Sequence, residues 1–432
     1  MQQETQHTQH SRHTHGTEGL FAVGNPVTHW SVKTSNPVQY EIRACENLLD
    51  PANSTILEDA PGTGRRRFVV TDRVVDSLYG ERIRAYFEHH GVEYRVLVLD
   101  DGETHKSVGA VLRVTEELDA FGVDRRREPV IAIGGGVLMD IVGFAASLYR
   151  RSTPFIRIPT TLIGLVDAGV GAKTGVNHNG HKNRLGTYFP ADRTLLDRSF
   201  LATLDGRHLS NGLAEILKIA LIKDARLFDL LEQHGADLLD AKLQSAPPTG
   251  PTPADVPVDQ RLAARGLHLD PATEVVERAI QGMLEELQPN LWEKVLERVV
   301  DYGHTFSPTI EMHALPALLH GEAVSVDMAL TTVMAERRGL VSAYQRDRVL
   351  NVMARLGLPS WHPLCTPERL GEALRDTVRH RDGKQRLPLP VGIGSAVFVN
   401  DVTDAELAAA TVSLAELAES ADVAARVSGV RP

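Results

Sequence analysis

Between residues 67 and 158, four short apolar runs alternate with stretches of helical spacing. Arg67-Phe-Val-Val70, Tyr94 to Leu99, Val130 to Ile133 and Phe155 to Ile158 read as strands. Arg73 to His90, Ser107 to Phe121 and Leu138 to Tyr149 read as the helices between them. Runs that are apolar along most of their length need cover on both faces. Repeated β-α units of this kind predict a parallel sheet with helices on both sides. From about Asn211 the pattern changes, and Leu213 to Gln233, Pro271 to Val300, His320 to Arg338 and Tyr344 to Arg355 all carry helical spacing. The predicted fold class is therefore α/β: an N-terminal Rossmann-like parallel-sheet domain over 36–205, then a mainly α-helical C-terminal domain over 206–432. Ligands of such sheets bind beyond the carboxyl ends of the strands. The cleft between the two parts is the expected site.

Composition narrows the choices further. With 432 residues, 42% of them apolar, the chain has the make-up of a two-domain globular protein. A net charge of -10 argues against a general nucleic-acid binder, so an anionic ligand needs a local cationic pocket. Cys45 and Cys365 form no disulfide framework, which suits a reducing, cytoplasmic setting. No apolar run approaches the roughly 20 residues of a membrane span, and no signal-peptide core opens the chain, so no membrane partner is expected. Residues 1–35 are polar, with His7, His10, His13 and His15 scattered through them, and read as a disordered tail rather than a metal site. Five prolines within 245–259 predict a surface insertion. The Ala-rich end from Asp404 reads as helix.

The polar loops carry the chemistry. Pro159 to Asn183 holds glycines, paired threonines, an aspartate and two lysines directly after a strand. It is too polar and too costly to order to serve as core, and reads as a loop that wraps an anion. Gly134-Gly-Gly-Val-Leu-Met-Asp140 lies between a strand and a helix, where glycines let a pyrophosphate approach the helix N-terminus. A plain tight turn explains those glycines equally well. Asp72 and Asp100-Asp-Gly-Glu-Thr-His-Lys106 follow two other strands, so three polar loops meet where a dinucleotide would lie. Glu215 and Lys218 share one face of an otherwise apolar helix, and a buried carboxylate needs a cation or a metal. His304 and His320 both flank glycines. One carboxylate and two imidazoles is a catalytic-zinc ligand set, although either histidine alone reads as an ordinary one.

These motifs together carry a resemblance. Asp101-Gly-Glu-Thr-His-Lys106, Gly134 to Asp140, Pro159-Thr-Thr-Leu162, Val166-Asp167, Gly171-Ala-Lys-Thr174, His181-Lys-Asn183, Ala214-Glu-Ile-Leu-Lys218, Gly303-His-Thr305 and His320-Gly-Glu-Ala-Val324 resemble sugar phosphate cyclases of the dehydroquinate-synthase type. The similarity covers roughly residues 67–394. It implies a recycled NAD, a divalent metal (zinc or cobalt) and a homodimer. By motif, Glu215, His304 and His320 would be the metal ligands. Asp72, Glu103, Lys106, Gly135, Gly136, Val137, Asp140, Thr160, Thr161, Asp167, Lys173 and Lys182 would surround the NAD. Lys173, Lys182, Asn183, Lys218, Arg151, Asp301 and Lys384 would serve the sugar phosphate and its chemistry, with Arg151 reaching a neighbour's site.

The departures are informative. Asp301 stands where dehydroquinate synthase has Asn, and Pro308 where it has a second His. Met283 and Glu297 stand where it has the basic residues for the substrate carboxylate. Each lost charge-assisted bond costs roughly 1.5–3 kcal/mol, so the expected substrate lacks a carboxylate. Within the family the chain looks like the 2-epi-5-epi-valiolone synthases, which implies cyclisation of sedoheptulose 7-phosphate with loss of phosphate. Other products of that sugar (2-epi-valiolone, desmethyl-4-deoxygadusol) and 3-dehydroquinate synthesis stay open, as does a metal- and NAD-dependent alcohol dehydrogenase of similar plan. Such cyclitols feed aminocyclitol antibiotics.

Overall fold

The computed structural model describes residues 19–24, 27–58, 66–244 and 270–428. The chain separates after Tyr40 into a short N-terminal unit and the body, 41–432. In the first unit, β1 (Gly19–Gly24) pairs with β2 (Val27–Lys33) as an antiparallel hairpin. The tail expected to be disordered is thus ordered over these two strands, whose β-rich pattern (Leu20, Phe21, Val23; Val27, Trp30, Val32) is dense enough to pair. The four histidines of the tail and the Pro-rich insertion at 245–259 lie outside the described residues.

The body is built on a six-stranded sheet: β3 (Glu41–Cys45), β4 (Arg66–Asp72), β5 (Glu93–Leu99), β6 (Val130–Gly134), β7 (Phe155–Pro159) and β10 (Arg193–Asp197). Its order is β3-β10-β7-β6-β4-β5, and every pairing is parallel. The alternation of side chains along each strand feeds two cores. Val69, Ile131, Ile133, Ile156 and Ile158 pack under α1 (Arg73–His89). Phe68, Val70, Val130 and Ala132 pack under α2 (Val108–Phe121) and α3 (Gly136–Leu148). The four strands expected from the apolar runs are all present. The two others, β3 and β10, each carry two charges within five residues (Glu41 and Arg43; Arg193 and Asp197) and lack the apolar length that betrays a central strand.

The polar segment after β7 is not one loop. It makes a single helical turn over Gly164–Ala168 and then a hairpin, β8 (Lys173–His178) with β9 (His181–Tyr188). Asn179 and Gly180, with φ of 50° and 75°, form its turn. Asn-Gly between two strand-forming runs is a strong hairpin signal, and here it outweighs the polarity of the flanks.

The second half is helical. α4 (Gly206–Ile222) and α8 (His320–Arg337) lie at its centre and are buried along most of their length. Around them run α5 (Ala225–Asp240), α6 (Pro271–Leu287), α7 (Ser307–Ala314), α9 (Ala343–Arg355), α10 (Pro367–His380) and α11 (Asp404–Ser428), with a small hairpin of β11 (Leu387–Pro390) and β12 (Ala396–Val399). Two expected helices are shorter than their apolar spacing suggests. The run from Leu213 to Gln233 breaks at Asp224, whose carboxylate caps α5 through the Leu227 amide at 3.0 Å. The run from Pro271 stops near Pro289, which cannot continue a helix. Among the described residues, no helix is long and apolar enough to cross a membrane.

Candidate active site

The carboxyl ends of the strands and the centre of the helical half enclose a cleft of about 840 Å3. Asp72, Glu103, Lys106, Gly135, Gly136, Val137, Asp140, Thr160, Thr161, Asp167, Lys173, Lys182, Asn183, Lys218, Asp301, His304 and His320 all line it. Residues as far apart in sequence as Asp72 and His320 are thus brought to one cleft. At the sheet end, α3 begins on Gly135, whose side-chain-free cap leaves the first amides of the helix turned to the cleft. A Cβ on Gly135 would lie 3.2 Å from the Thr161 methyl, so the glycine keeps this approach open. Lys106 is buried, and its Nζ bonds Asp140 Oδ2 at 2.6 Å and Asn183 Oδ1 at 2.7 Å. Glu103 accepts from the Asn177 amide at 2.8 Å, which ties its loop to the hairpin. Asp72 caps α1 through the Val75 amide, and burial raises its carboxyl above the ordinary range.

Glu215, His304 and His320 come together on three separate elements. One ligand atom from each lies within 4.8 Å of the others. Glu215 sits in mid-α4, His320 opens α8, and His304 lies on the loop before α7. Packing fixes all three. A Cβ on Gly321 would strike the Asn211 carbonyl, so only glycine lets α8 start this close to α4. The Asn211 side chain accepts the Gly321 amide in return. Gly303 has φ of 74°, and a Cβ there would meet Val324 and Met328 at 2.9 Å. From α8, buried Asp327 accepts the Phe306 and Ser307 amides at the end of this loop, at 2.6 and 2.9 Å.

Hydrogen bonds set the histidine tautomers. His304 Nδ1 donates to the Tyr302 carbonyl at 3.0 Å, and His320 Nδ1 to Glu311 at 2.8 Å. Both Nε2 atoms then face Glu215 Oε1, at 3.7 and 3.4 Å. Burial, and then Lys218, push His304 down to about 3, so its imidazole is neutral. Burial and Lys182 oppose a proton on His320, but Glu311 and Glu215 outweigh them and raise it to about 9. Burial works against ionised Glu215, yet Lys218 and the histidines hold it well below the usual range. Glu215 is 1% exposed, and Oε1 has no hydrogen-bond donor. A buried carboxylate edge faced by the Nε2 atoms of two imidazoles fits a divalent cation, which would take the place of the His320 proton, and Glu311 supplies an outer carboxylate that orients the His320 ring.

Comparison with known proteins agrees with this geometry. The signature of the 3-dehydroquinate synthase N-terminal domain matches residues 96–211, and that of its C-terminal domain matches 212–379. The chain belongs to the 3-dehydroquinate synthase family. Within this family of sugar phosphate cyclases, the chain is 62% identical over 394 residues to a 2-epi-5-epi-valiolone synthase of Actinoplanes, covering 91% of this chain and 94% of the relative. A demethyl-4-deoxygadusol synthase of Trichormus variabilis is 39% identical over 91% of this chain and 92% of its own. The crystal structure of 2-epi-5-epi-valiolone synthase from Streptomyces hygroscopicus subsp. jinggangensis, with NAD+ and Zn2+ bound, superposes with a TM-score of 0.81 at 55% identity. It covers 90% of this chain and 99% of that one.

The far end of the cleft departs from what the sequence suggests for this cyclase. Arg151 is exposed beyond α3 and does not line the cleft of its own chain, and exposed Lys384 also lies outside it. Arg381, three residues earlier, enters instead and reaches Asp301 at 3.2 Å. Glu297 points away, whereas Glu293 and Arg298 line the wall. Arg298 pairs with both Glu293 and Asp301, and Lys173 pairs with Glu293. Basic side chains are thus present where none was expected, but each already faces a carboxylate. The expected cationic ring is also modified: Lys182 is held by Glu311 at 2.6 Å and Lys218 by Glu215 at 2.5 Å. Burial favours protonated Asp301, but Arg298 and Arg381 prevail and hold it at about 2. Burial and Arg298 push Lys173 down to about 8, although its side chain remains 57% open to the cleft. Glu293, Arg298 and Arg381 were not singled out as site residues. Their only signal is local, a Trp-Glu and a Glu-Arg pair beside the Asp301 motif, and charged pairs are common on surfaces.

Proposed function

We propose that this protein is a 2-epi-5-epi-valiolone synthase, which converts sedoheptulose 7-phosphate to 2-epi-5-epi-valiolone and inorganic phosphate. The observation that carries the reading is the Glu215, His304, His320 cluster opening into the same cleft as the α3 N-terminus and three lysines. The relatives at 56–62% identity that carry this name support it. Glu215, His304 and His320 would hold the divalent cation, zinc or cobalt, which when bound acidifies a coordinated hydroxyl. NAD would be held along the strand ends by Asp72, Glu103, the Gly135 and Thr160 loops and Asp167, and would supply a reversible hydride acceptor. The net conversion therefore consumes no cofactor.

The chain's own side chains supply placement and charge. Free amides at the start of α3 favour the pyrophosphate. Lys106 holds Asp140 and Asn183 in register, so one cation sets both the dinucleotide wall and the turn beside the substrate. Tyr302 and Glu311 accept from the two Nδ1 atoms, which holds both Nε2 atoms towards Glu215, where a bound cation would replace the His320 proton. Lys173, Lys182 and Lys218 would hold the phosphate and its developing charge as it leaves. Asp301, kept ionised, is an acceptor for substrate hydroxyls. Arg151 would act on the site of a neighbouring subunit in a homodimer, and Lys384 would need its loop to move inward. Division at 205/206 into a dinucleotide-binding and a metal-binding domain, and a cytoplasmic place in aminocyclitol antibiotic synthesis, accompany this reading.

The test is incubation of zinc-loaded enzyme with NAD and sedoheptulose 7-phosphate. Phosphate release without net NADH, and a valiolone-type cyclitol by NMR, are expected. Stoichiometric NADH would instead mark an alcohol dehydrogenase, and turnover of the keto-acid sugar phosphate in preference would mark a dehydroquinate synthase.

A further inference from the structure

At the end of the cleft away from the sheet, one side chain holds the others. Glu293 follows α6 in a turn where its φ is 51°, a sparsely populated conformation for a residue with a side chain. The turn aims its carboxylate inward, where it meets Lys173 and Arg298 and accepts from the Tyr188 hydroxyl at 3.0 Å. Tyr188 is the last residue of β9 and packs edge-on against Trp292, so the hairpin and the post-α6 turn are joined at this carboxylate. Arg298 and Arg381 share the remaining carboxylate, Asp301.

We propose that Glu293 is a specificity-determining residue: by occupying Arg298 it makes this end of the cleft accept an uncharged hydroxymethyl ketone and refuse a carboxylate. The inference rests on the sugar-phosphate reading above. Its logic is electrostatic. A bound carboxylate here would lie against Glu293 and Asp301, and could gain Arg298 only by displacing one of them. Two carboxylates competing for one guanidinium in a desolvated site repel more than they gain. A ketone and a hydroxyl need no such exchange, and Asp301, while paired with Arg298 and Arg381, keeps lone pairs that can accept from the hydroxyl. The loss of two family cations at Met283 and Glu297 removes an attraction. Glu293 goes further, because it occupies the cations this chain has placed nearby.

The test is equilibrium binding to zinc-loaded enzyme in its NADH form, where oxidation of the ligand cannot start. Two ligands are compared, sedoheptulose 7-phosphate and the seven-carbon 2-keto-acid sugar phosphate. Glu293→Gln keeps size and the contact to Tyr188 but removes the charge. It should tighten the keto acid relative to the ketose by about tenfold or more. Glu293→Asp, which keeps the charge, should retain the wild-type ratio. The double variant Glu293→Gln, Arg298→Gln removes one charge of each sign and should also return towards it. Glu293→Ser makes the same charge change and stands in if the Gln variant does not fold. An unchanged ratio in a folded, NADH-binding Gln or Ser variant overturns the proposal, as does a double variant that keeps the gain. If wild-type enzyme fails to bind the ketose phosphate while the Gln variant still gains the keto acid, Glu293 has the assigned role and the valiolone reading fails.

Discussion

Glu311 touches no substrate in this scheme, yet its replacement should be felt in metal affinity. Its carboxylate is 1% exposed and binds two partners at once, His320 Nδ1 at 2.8 Å and Lys182 Nζ at 2.6 and 2.7 Å. Glu311→Gln keeps the volume and an acceptor for His320, so the ring should stay in place. What is lost is the charge. The imidazole becomes a weaker donor to a cation, and Lys182, only 11% exposed, loses its counter-ion. Removing an outer carboxylate of this kind typically lowers metal affinity about 10–100-fold, or roughly 1.4–2.8 kcal/mol. A second cost of about 1–3 kcal/mol falls on folding stability, because a largely buried ammonium loses its charged partner. The assay is zinc competition against a chromophoric chelator, with denaturant unfolding of the zinc-loaded protein alongside. Activity should return at high zinc, since the three ligands remain. Zinc affinity within twofold of wild type would refute the argument that Glu311 tunes the cluster.

Three further outcomes follow from the same geometry. Gly321→Ala drives a Cβ into the Asn211 carbonyl, so α8 must shift from α4; a loss of about 2 kcal/mol or more in unfolding free energy is expected, together with weaker zinc binding. Lys106→Met strips Asp140 and Asn183 of their shared cation, and NAD affinity read by fluorescence titration should fall about tenfold or more, with unaltered affinity counting against the role given to Lys106. Burial raises Asp327 to about 6 despite two amide donors. A carboxyl whose folded value lies above its unfolded one contributes stability at low pH and loses it as pH rises between about 4 and 6. Wild type should therefore lose up to about 3 kcal/mol across that window relative to Asp327→Asn, and parallel pH profiles of the two would contradict this.

Much of the site was legible in the chain because the residues proposed to bind phosphates and a metal lie in short motifs. Gly134 to Asp140 announces a strand-to-helix turn, and Gly303-His304 and His320-Gly321 announce histidines held by close backbone approach. The glycines are needed there for packing reasons, and packing reasons leave a mark in sequence. The hairpin of β8 and β9 is hard to read in the chain because its flanks are polar and only the Asn179-Gly180 turn marks it. The break at Asp224 was missed because apolar spacing runs through it, and only the cap reveals that a new helix starts.

The far end of the cleft is a different case. Lys384 and Arg381 are three residues apart on the turn that follows α10, and which one faces inward depends on how that turn meets the loop before α7. Glu293 and Glu297 are likewise four apart, and the break of the helix at Pro289 removes the periodicity that would have ranked them. Local motif and hydrophobic period therefore determined the α/β layer and the helical half, and the family motifs marked the loops proposed for the dinucleotide and the three side chains proposed for the metal, since each of these pieces is encoded within a few neighbouring residues. Only the tertiary structure decided which cations are already spent on carboxylates, because charge pairing is a property of distances across elements and leaves no period in the chain.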